Sequence, residues 1–390
     1  MQGRRILFGI ALFAAGGAAF YQSGVKLPPP FATPSVNNGP RVIPQPAGAR
    51  LNVPPGFQAE VYAEGFARPR FMLEGPGGEI LLADSAARGE GCVYVLRSGE
   101  RKKLIAGLDR PYGLAFWKDY LYVGEPQSVK RYRYDAKDLT AGPGEEVISL
   151  AGFGNGHWTR SLLFDRAGSK LYVGVGSASN VSPGEDPRRA AINRYNPDGS
   201  GHEIFASGTR NPIGMRWYPG TSTLWAAVQE RDALGDDLVP DYFTHIRQGG
   251  FYGWPYAYTG PHEDPRNKGL RPDLVQKTIV PDVPLPSHVA VLDFVFYTGK
   301  QFPEEYRGGA FLAFHGSWNR SLRVGQSVAF IPFRDGKPSG PMREFATGWM
   351  LAPDRREVWG RPVGLLVLPD GSLLVSEDGN NRIWRISHKG

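Results

Sequence analysis

Cysteine is almost absent from this 390-residue sequence, which contains Cys92 alone. A single cysteine excludes an internal disulfide, a cysteine-based zinc site and a CxxCH haem attachment. Any redox chemistry would therefore need a cofactor that is held without a covalent link.

Signatures of several common enzyme classes are also missing. No GxGxxG segment opens a strand-to-helix unit, no Walker motif is present and no GxSxG elbow occurs. Nicotinamide, nucleotide and serine-hydrolase chemistry therefore lose support. The net charge of +7 does not indicate nucleic acid binding, because the Lys and Arg residues are scattered and no RNA-binding motif interrupts the strands. A basic balance also suits anionic small molecules.

One phrase occurs six times in the sequence: a short apolar strand, a Gly, Pro or Asp turn, and a second apolar strand ending in small or acidic residues. The copies are 71–84, 113–125, 161–176, 214–230, 294–315 and 364–378. Such repetition is typical of a β-propeller, because one small sheet cannot bury its own face. We therefore predict an all-β, six-bladed β-propeller over residues 51–390, with its chemistry in loops that meet at one mouth of the channel.

The N-terminal 50 residues differ in composition from the rest. Residues 1–25 carry two arginines, an apolar run and small residues, which predicts an export signal or an uncleaved membrane anchor. We expect a periplasmic or other extracytoplasmic location. Residues 26–50 are rich in proline and polar, which predicts an extended linker.

Two loops carry side chains suited to catalysis. The segment GFGNGHWTR delivers His157 just before the third repeat, where an imidazole could take a proton near neutral pH. The segment TRNP places Arg210 and Asn211 before the fourth repeat, where a guanidinium could bind a carboxylate or polarise a carbonyl oxygen. A structural loop histidine and an arginine that ties two blades together are the alternatives.

Arg320 in HGSWNR and Arg361 in WGRPVG occupy comparable positions near strand ends. Together with Arg210 at one mouth, they would suit a ligand with several negative charges.

The long insertion after the fourth repeat, residues 231–292, begins with closely spaced acidic residues. Asp232, Asp236, Asp237 and Asp241 offer oxygen ligands that a hard cation such as Ca²⁺ would accept, although the EF-hand pattern is absent. A solvated acidic turn is the alternative interpretation.

Five segments, in this order, resemble the glucose/sorbosone dehydrogenase family of PQQ-dependent soluble aldose dehydrogenases and their L-sorbosone dehydrogenase relatives. They are GHWTRSLLF, GTRNPIGMRW, QERDALGDDL, GGFYGWP and RPVGLLVLPDGSLLVSED. The resemblance runs from about Leu51 to the C-terminus. It implies a six-bladed propeller that holds pyrroloquinoline quinone (PQQ) beside a Ca²⁺ ion and oxidises sugars.

The resemblance also implies roles for individual residues. His157 would be the general base, Arg210 would polarise the quinone oxygen and Asn211 would bind the rim of the cofactor. The remaining implied contacts are the backbone carbonyls of Asp232 and Ala233 as Ca²⁺ ligands, Asp236 and Asp237 on the cation or substrate side, Arg361 on a PQQ carboxylate, and Asn319 or Arg320 as a further cofactor contact.

The sequence departs from the glucose-oxidising members at two positions. Gly156 stands before the base where an acid is expected, and Ser177 stands where an acid usually orients the base. A hydroxyl group stabilises an imidazolium less than a carboxylate does. The departures fit a sorbosone-type branch better than a glucose dehydrogenase.

These observations predict a PQQ- and calcium-dependent dehydrogenase that oxidises an aldose or a sugar aldehyde and passes electrons to an external quinone or cytochrome. Two alternatives stay open. One is a calcium-dependent lactonase, in which His157 would activate water. The other is a non-catalytic propeller that binds glycans or a protein through the aromatic segment FYGWPYAY.

Overall fold

The computed structural model describes residues 26–389. The predicted export signal or anchor over residues 1–25 lies outside the described residues. Within residues 26–389, no helix is both long enough and apolar enough to cross a membrane.

Within residues 26–389, six sheets of at least four strands form the blades, and this confirms the prediction of a six-bladed, all-β propeller. Neighbouring strands within a blade are mainly antiparallel. The strands are: blade 1, Pro69–Glu74, Ile80–Asp84, Gly91–Arg97 and Glu100–Leu108; blade 2, Leu114–Trp117, Tyr120–Glu125, Ser128–Asp135 and Thr140–Ser149; blade 3, Arg160–Phe164, Leu171–Val175, Ala191–Tyr195 and Glu203–Ser207, with Gly250–Phe251 added in parallel; blade 4, Asn211–Trp217, Leu224–Gln229, Pro240–His245 and Val283–Ser287; blade 5, Val291–Phe296, Ala310–Phe314, Ser327–Ile331 and Arg343–Ala346; blade 6, Pro362–Val367, Leu373–Glu377, Arg382–His388 and Phe57–Glu64.

Each repeated phrase forms the first two strands of one blade. The first strands lie innermost, and each contacts the first strands of both neighbouring blades. A strand that is buried on both faces has apolar or small residues throughout, because neither face contacts water. In Leu171–Val175, for example, every residue is buried. The glycine that opens several phrases permits this approach, since a Cβ at Gly113 would overlap the carbonyl oxygen of Arg160 in the next blade.

Blade 6 closes the ring with strands from both ends of the described chain. Phe57–Glu64 pairs antiparallel with Arg382–His388, and the Phe57 ring packs edge-on against Phe302 and Phe345 of the blade 5 side. The closure therefore combines backbone hydrogen bonds with an aromatic cluster.

An apolar cluster surrounds the propeller axis. It contains first-strand side chains of five blades, namely Phe71, Leu114, Ile213, Leu292 and Val363. Trp158, from the loop before blade 3, packs against this cluster. The channel is thus filled by apolar side chains below the loop that carries His157.

The proline-rich segment 26–50 is docked on the propeller and is not a free linker. The Asp236 amide donates to Oγ1 of Thr33 at 2.7 Å, and Nδ2 of Asn38 donates to the Arg320 carbonyl oxygen at 2.9 Å. These bonds satisfy polar groups of the loops around the channel, which explains why a segment without periodicity is ordered here.

The remaining elements lie in the connections. They are the parallel pair Arg41–Val42 and Glu357–Val358, the hairpins Ala257–Tyr258 with His262–Glu263 and Phe333–Arg334 with Lys337–Pro338, the α-helix Pro272–Lys277, and the 3₁₀ turns Pro265–Asn267 and Glu304–Tyr306.

Candidate active site

The predicted site residues lie at one end of the propeller, where the first strand of each blade begins and the second strand ends. In blade 4, for example, Asn211 pairs with Gln229. The loops carrying His157 and Arg210 directly precede first strands. We call this end the channel mouth and define it by His157, Arg210, Asp232, Asn319, Arg361 and the residues that bond to them.

His157 is oriented by Ser177. Its Nδ1 lies 2.9 Å from the Ser177 carbonyl oxygen and 3.1 Å from Ser177 Oγ. The Ser177 hydroxyl donates to the carbonyl oxygen of Ser179 at 2.6 Å, so Oγ faces the imidazole as an acceptor. Both partners therefore favour a proton on Nδ1, which leaves Nε2 as the acceptor nitrogen.

The electrostatic surroundings keep His157 neutral. Burial and the positive charge of Arg210 lower its pKa to about 3, although the Ser177 carbonyl oxygen acts in the opposite direction. Burial disfavours the charged imidazolium, and a nearby like charge adds to that effect. His157 is therefore available as a proton acceptor at neutral pH.

Arg210 bridges blades 3 and 4. Its Nη2 lies 3.0 Å from Asp232 Oδ2 and 3.1 Å from Asn180 Oδ1, and its Nη1 donates to the Glu230 carbonyl oxygen. The arginine thus ties neighbouring blades together and at the same time holds a cation beside His157. The two interpretations given for Arg210 are compatible.

Two amide oxygens at the mouth are buried without a hydrogen-bond partner among residues 26–389: Oδ1 of Asn211 and Oδ1 of Asn319. Nδ2 of Asn211 donates to Gln229 Oε1 at 2.9 Å, and Nδ2 of Asn319 donates to Asp232 Oδ1 at 2.8 Å. Each amide is fixed through its nitrogen. A buried acceptor without a donor costs free energy, so these two oxygens are positioned for a ligand that donates to them.

Asp232 is shared by several side chains. His288 Nδ1 lies 3.6 Å from Asp232 Oδ1, and His288 Nε2 faces the Gly235 carbonyl oxygen at 3.0 Å. Burial acts to raise the pKa of Asp232, but the neighbouring His288 and the charge of Arg210 outweigh it and hold the pKa below its ordinary value. Asp232 is therefore an anion that fixes Arg210 and Asn319.

The acidic residues of the insertion do not form one oxygen cage. Within residues 26–389, no group of three or more His, Cys, Asp or Glu side chains is placed to hold a metal ion. Asp236 and Asp237 bond to Arg320, whereas Asp241 is buried and accepts from the backbone amides of Glu230 and Ala290 at 2.8 and 2.9 Å. The close spacing of these acids in the sequence does not bring their side chains together in space.

The backbone carbonyl of Asp232, an implied Ca²⁺ ligand, already accepts two hydrogen bonds. They come from Asn180 Nδ2 at 3.0 Å and from Arg266 Nη1 at 2.8 Å. A guanidinium cation therefore lies where a calcium ion would approach this oxygen. Ala233 has a φ of 70°, which turns the chain sharply after Asp232. In this arrangement Asp232 does not fit a calcium ion.

Arg361 and Arg320 point to different surroundings. Arg361 donates to the carbonyl oxygens of His315 and Gly316 at 3.2 and 3.5 Å, at the mouth. Burial lowers its pKa to about 10, with nearby Arg70 contributing and Asp378 opposing. Arg320 is instead paired with Asp237, with Nη2 at 2.6 Å from Oδ1. The structure thus brings Arg361 to the mouth and turns Arg320 to the acidic turn.

The rest of the mouth contains side chains that the sequence analysis missed. His315 Nε2 lies 2.7 Å from Asp378 Oδ1, and the other oxygen of Asp378 pairs with Arg70 and, at 3.3 Å, with Arg68. The sequence contains a pattern that could have identified some of them. In four blades, an arginine lies just before the first strand and is followed by a proline, either directly or after one further residue. These are Arg68, Arg110, Arg210 and Arg361, before blades 1, 2, 4 and 6.

The aromatic segment FYGWPYAY is largely part of the interior. Tyr252, Trp254 and Tyr258 are only 1%, 5% and 4% exposed. Trp254 Nε1 donates to the Asn180 carbonyl oxygen at 2.8 Å and so supports the loop beside Arg210. These three rings are not available as a surface for stacking glycans, contrary to the alternative drawn from the sequence.

The fold and the site together define a six-bladed propeller in which a neutral histidine and several arginines converge on one mouth, an arrangement suited to an anionic ligand. The chain belongs to the TrAA12-like family, whose model matches residues 51–241 and 273–389.

Two further proteins are similar to this chain in sequence. An uncharacterized protein of Borreliella burgdorferi is 28% identical over 357 residues, which cover 87% of this chain and 91% of that protein. A pyrroloquinoline quinone-dependent pyranose dehydrogenase of Coprinopsis cinerea is 32% identical over 124 residues, which cover 28% of this chain and 16% of that protein.

Two solved structures share the fold. The calcium structure of a Trichoderma reesei enzyme of Carbohydrate-Active Enzymes Family AA12 matches with a TM-score of 0.75 and 21% identity, covering 90% of this chain and 99% of that chain. The holo form of the PQQ domain of the Coprinopsis cinerea pyranose dehydrogenase matches with a TM-score of 0.73 and 20% identity, covering 88% and 98%.

Proposed function

We propose that this protein is a PQQ-dependent dehydrogenase that oxidises an aldose or a sugar aldehyde of the sorbosone type. The observation that carries the proposal is the pair His157 and Arg210: a neutral imidazole with Nε2 as acceptor, beside a buried guanidinium. Membership of the TrAA12-like family and the likeness to a PQQ-dependent pyranose dehydrogenase support the choice of cofactor.

The donor set of the mouth suits PQQ, which carries three carboxylates on a planar ring system. Arg361 and Arg210 would offer positive charge to its anionic groups. One of the two unpartnered amide oxygens, that of Asn211 or that of Asn319, would accept a hydrogen bond from the single pyrrole N–H of the cofactor. When bound, the cofactor would supply a hydride acceptor, which no side chain of this protein can provide.

The side chains would handle the proton. His157 Nε2 would take the hydroxyl proton of the sugar, or of the hydrate of a sugar aldehyde. The hydride would leave the carbon that bears this hydroxyl group. The Nδ1–H group, which donates to the Ser177 carbonyl oxygen, would keep Nε2 unprotonated and able to accept that proton. Arg210 would stabilise negative charge that develops on oxygen during the transfer.

Calcium has no step in this proposal. The resemblance predicts it, but the Asp232 carbonyl oxygen already accepts hydrogen bonds from Arg266 and Asn180. Electrons would leave to an external quinone or cytochrome. The protein would be exported to the periplasm or another extracytoplasmic space. Its N-terminus would serve as the export signal or membrane anchor.

The test is a titration of purified apo-protein with PQQ, followed by dye reduction with a panel of aldoses, sorbosone and simple aldehydes. Saturable binding with substrate-dependent bleaching of the quinone would support the dehydrogenase. Hydrolysis of sugar lactones in the absence of quinone, with no PQQ binding, would contradict it and favour the lactonase alternative.

A further inference from the structure

A second group of arginines lies at the channel mouth, on the side of blades 1 and 2. Arg68 and Arg110 each precede a proline that leads into a first strand, which is the position that Arg361 holds in blade 6. Because the blades are related by the propeller's pseudo-symmetry, equivalent positions aim their side chains at the same axis. Arg70 follows two residues after Arg68 and joins the group.

All three arginines contact the indole of Trp158. The guanidinium carbons of Arg68, Arg70 and Arg110 lie 5.8, 5.5 and 5.6 Å from the centre of a Trp158 ring. The indole is fixed in turn by the axial apolar cluster and by an edge-to-face contact with Tyr112 at 6.0 Å. Guanidinium groups stacked on an aromatic ring are preorganised, so less freedom is lost when they bind an anion.

The charge of this group is not balanced by the acids that contact it. Asp378 is shared by Arg68 and Arg70, and Asp109 pairs with Arg110 at 2.9 Å, so two carboxylates face three guanidinium groups. Arg361 adds a fourth cation near enough to Asp378 to help lower the pKa of that carboxyl. Arg68 and Arg110 keep 43% and 30% of their side-chain surface exposed, so both can reach a ligand.

We propose that Arg68, Arg70 and Arg110, held in place by Trp158, form a subsite for the carboxylates of the planar, anionic cofactor. Trp158 directly follows His157 in the chain, so the subsite adjoins the loop that carries the candidate base. The inference rests on the proposed function, which supplies the ligand.

The experiment measures PQQ affinity of the apo-protein, with and without added salt, by quenching of tryptophan fluorescence and by calorimetry. Arg68→Gln and Arg110→Gln should each weaken binding by about tenfold, as expected for one lost charge-assisted hydrogen bond, and should reduce the salt dependence. The matched control is Arg101→Gln, because Arg101 also stacks on an aromatic ring, Phe66, at 5.0 Å, but on the outer strand of blade 1. Circular dichroism and the melting temperature check that each variant is folded.

Dissociation constants within twofold of the parent in both variants would overturn the inference while leaving the proposed function intact. A second probe, pyridine-2,4,6-tricarboxylate, separates the remaining outcomes. If the parent protein binds this probe but not PQQ, and the variants lose it, the subsite stands and the proposed function fails. If the parent binds neither compound, both proposals are wrong.

Discussion

His157 Nδ1 lies 2.9 Å from the carbonyl oxygen of Ser177, closer than the 3.1 Å to the hydroxyl group of the same residue. The main-chain oxygen, which no substitution of Ser177 removes, is therefore the principal partner of the imidazole. A backbone carbonyl accepts the Nδ1 proton and fixes the tautomer without adding a negative charge beside the base.

This geometry predicts unequal effects of two substitutions. His157→Ala should lower turnover by about 10²- to 10⁴-fold and leave PQQ binding nearly intact, because general base catalysis is lost. Ser177→Ala should cost only about fivefold, the value of one ordinary hydrogen bond. Steady-state kinetics with a dye acceptor measures both, and His262→Ala, at an exposed position of the hairpin strand His262–Glu263, is the control. A loss in Ser177→Ala as large as in His157→Ala would contradict the assigned role of the backbone oxygen.

The protonation of His157 gives a pH prediction. Burial and Arg210 lower its pKa from 6.5 to about 3, so the imidazole should stay neutral at pH 5 and turnover should not fall as pH decreases through 6.5. The unfolded chain binds this proton near pH 6.5 and the folded protein near pH 3, so His157 reduces stability progressively as pH falls through that window.

NMR titration of the His157 ring in the parent and in Arg210→Gln measures this directly. Removal of the guanidinium should raise the pKa of His157, because the largest charge that lowers it disappears. A ring that titrates near 6.5 in both proteins would show that neither burial nor Arg210 controls it.

Metal removal tests the insertion loop. Since Arg266 Nη1 donates to the Asp232 carbonyl oxygen at 2.8 Å, EDTA should change PQQ affinity of the parent by less than about threefold. Arg266→Ala exposes that oxygen and should create a calcium-dependent rise in melting temperature. Arg271→Ala, which removes an exposed arginine paired with Asp273, is the control. Loss of PQQ binding in EDTA with recovery on adding Ca²⁺ would instead establish calcium dependence and require Arg266 to move aside.

Closure of the ring gives a stability prediction. Phe57→Ala should lower the free energy of unfolding by about 2–4 kcal/mol, because its ring packs against Phe302, Tyr306 and Phe345 at 4.8 to 5.4 Å. Tyr62→Ala lies on the same strand, but Tyr62 is 37% exposed, so it should cost less than about 1 kcal/mol. Urea unfolding of the two variants provides the comparison, and equal losses would show that the aromatic cluster does not stabilise the closure.

The six blades and the loops that form the site can be predicted from the sequence alone. Each phrase needs only a local alternation of apolar strand and turn, and local patterns can be read directly from neighbouring residues. His157 and Arg210 were found in the same way, because each directly precedes a recognisable first strand. The Arg-Pro pairs before blades 1 and 2 were equally local, and could have been read as equivalents of Arg361.

Which side chains come into contact at the mouth depends on the tertiary structure. Arg320 turns to Asp237 and not to the mouth, Asp241 is bonded to backbone amides, and Trp254 is buried and donates to the Asn180 carbonyl oxygen. The closing pair, Phe57–Glu64 with Arg382–His388, joins strands from opposite ends of the described chain. Such contacts depend on blade packing and burial across long sequence separations, whereas residue spacing fixes only what lies within one strand or turn.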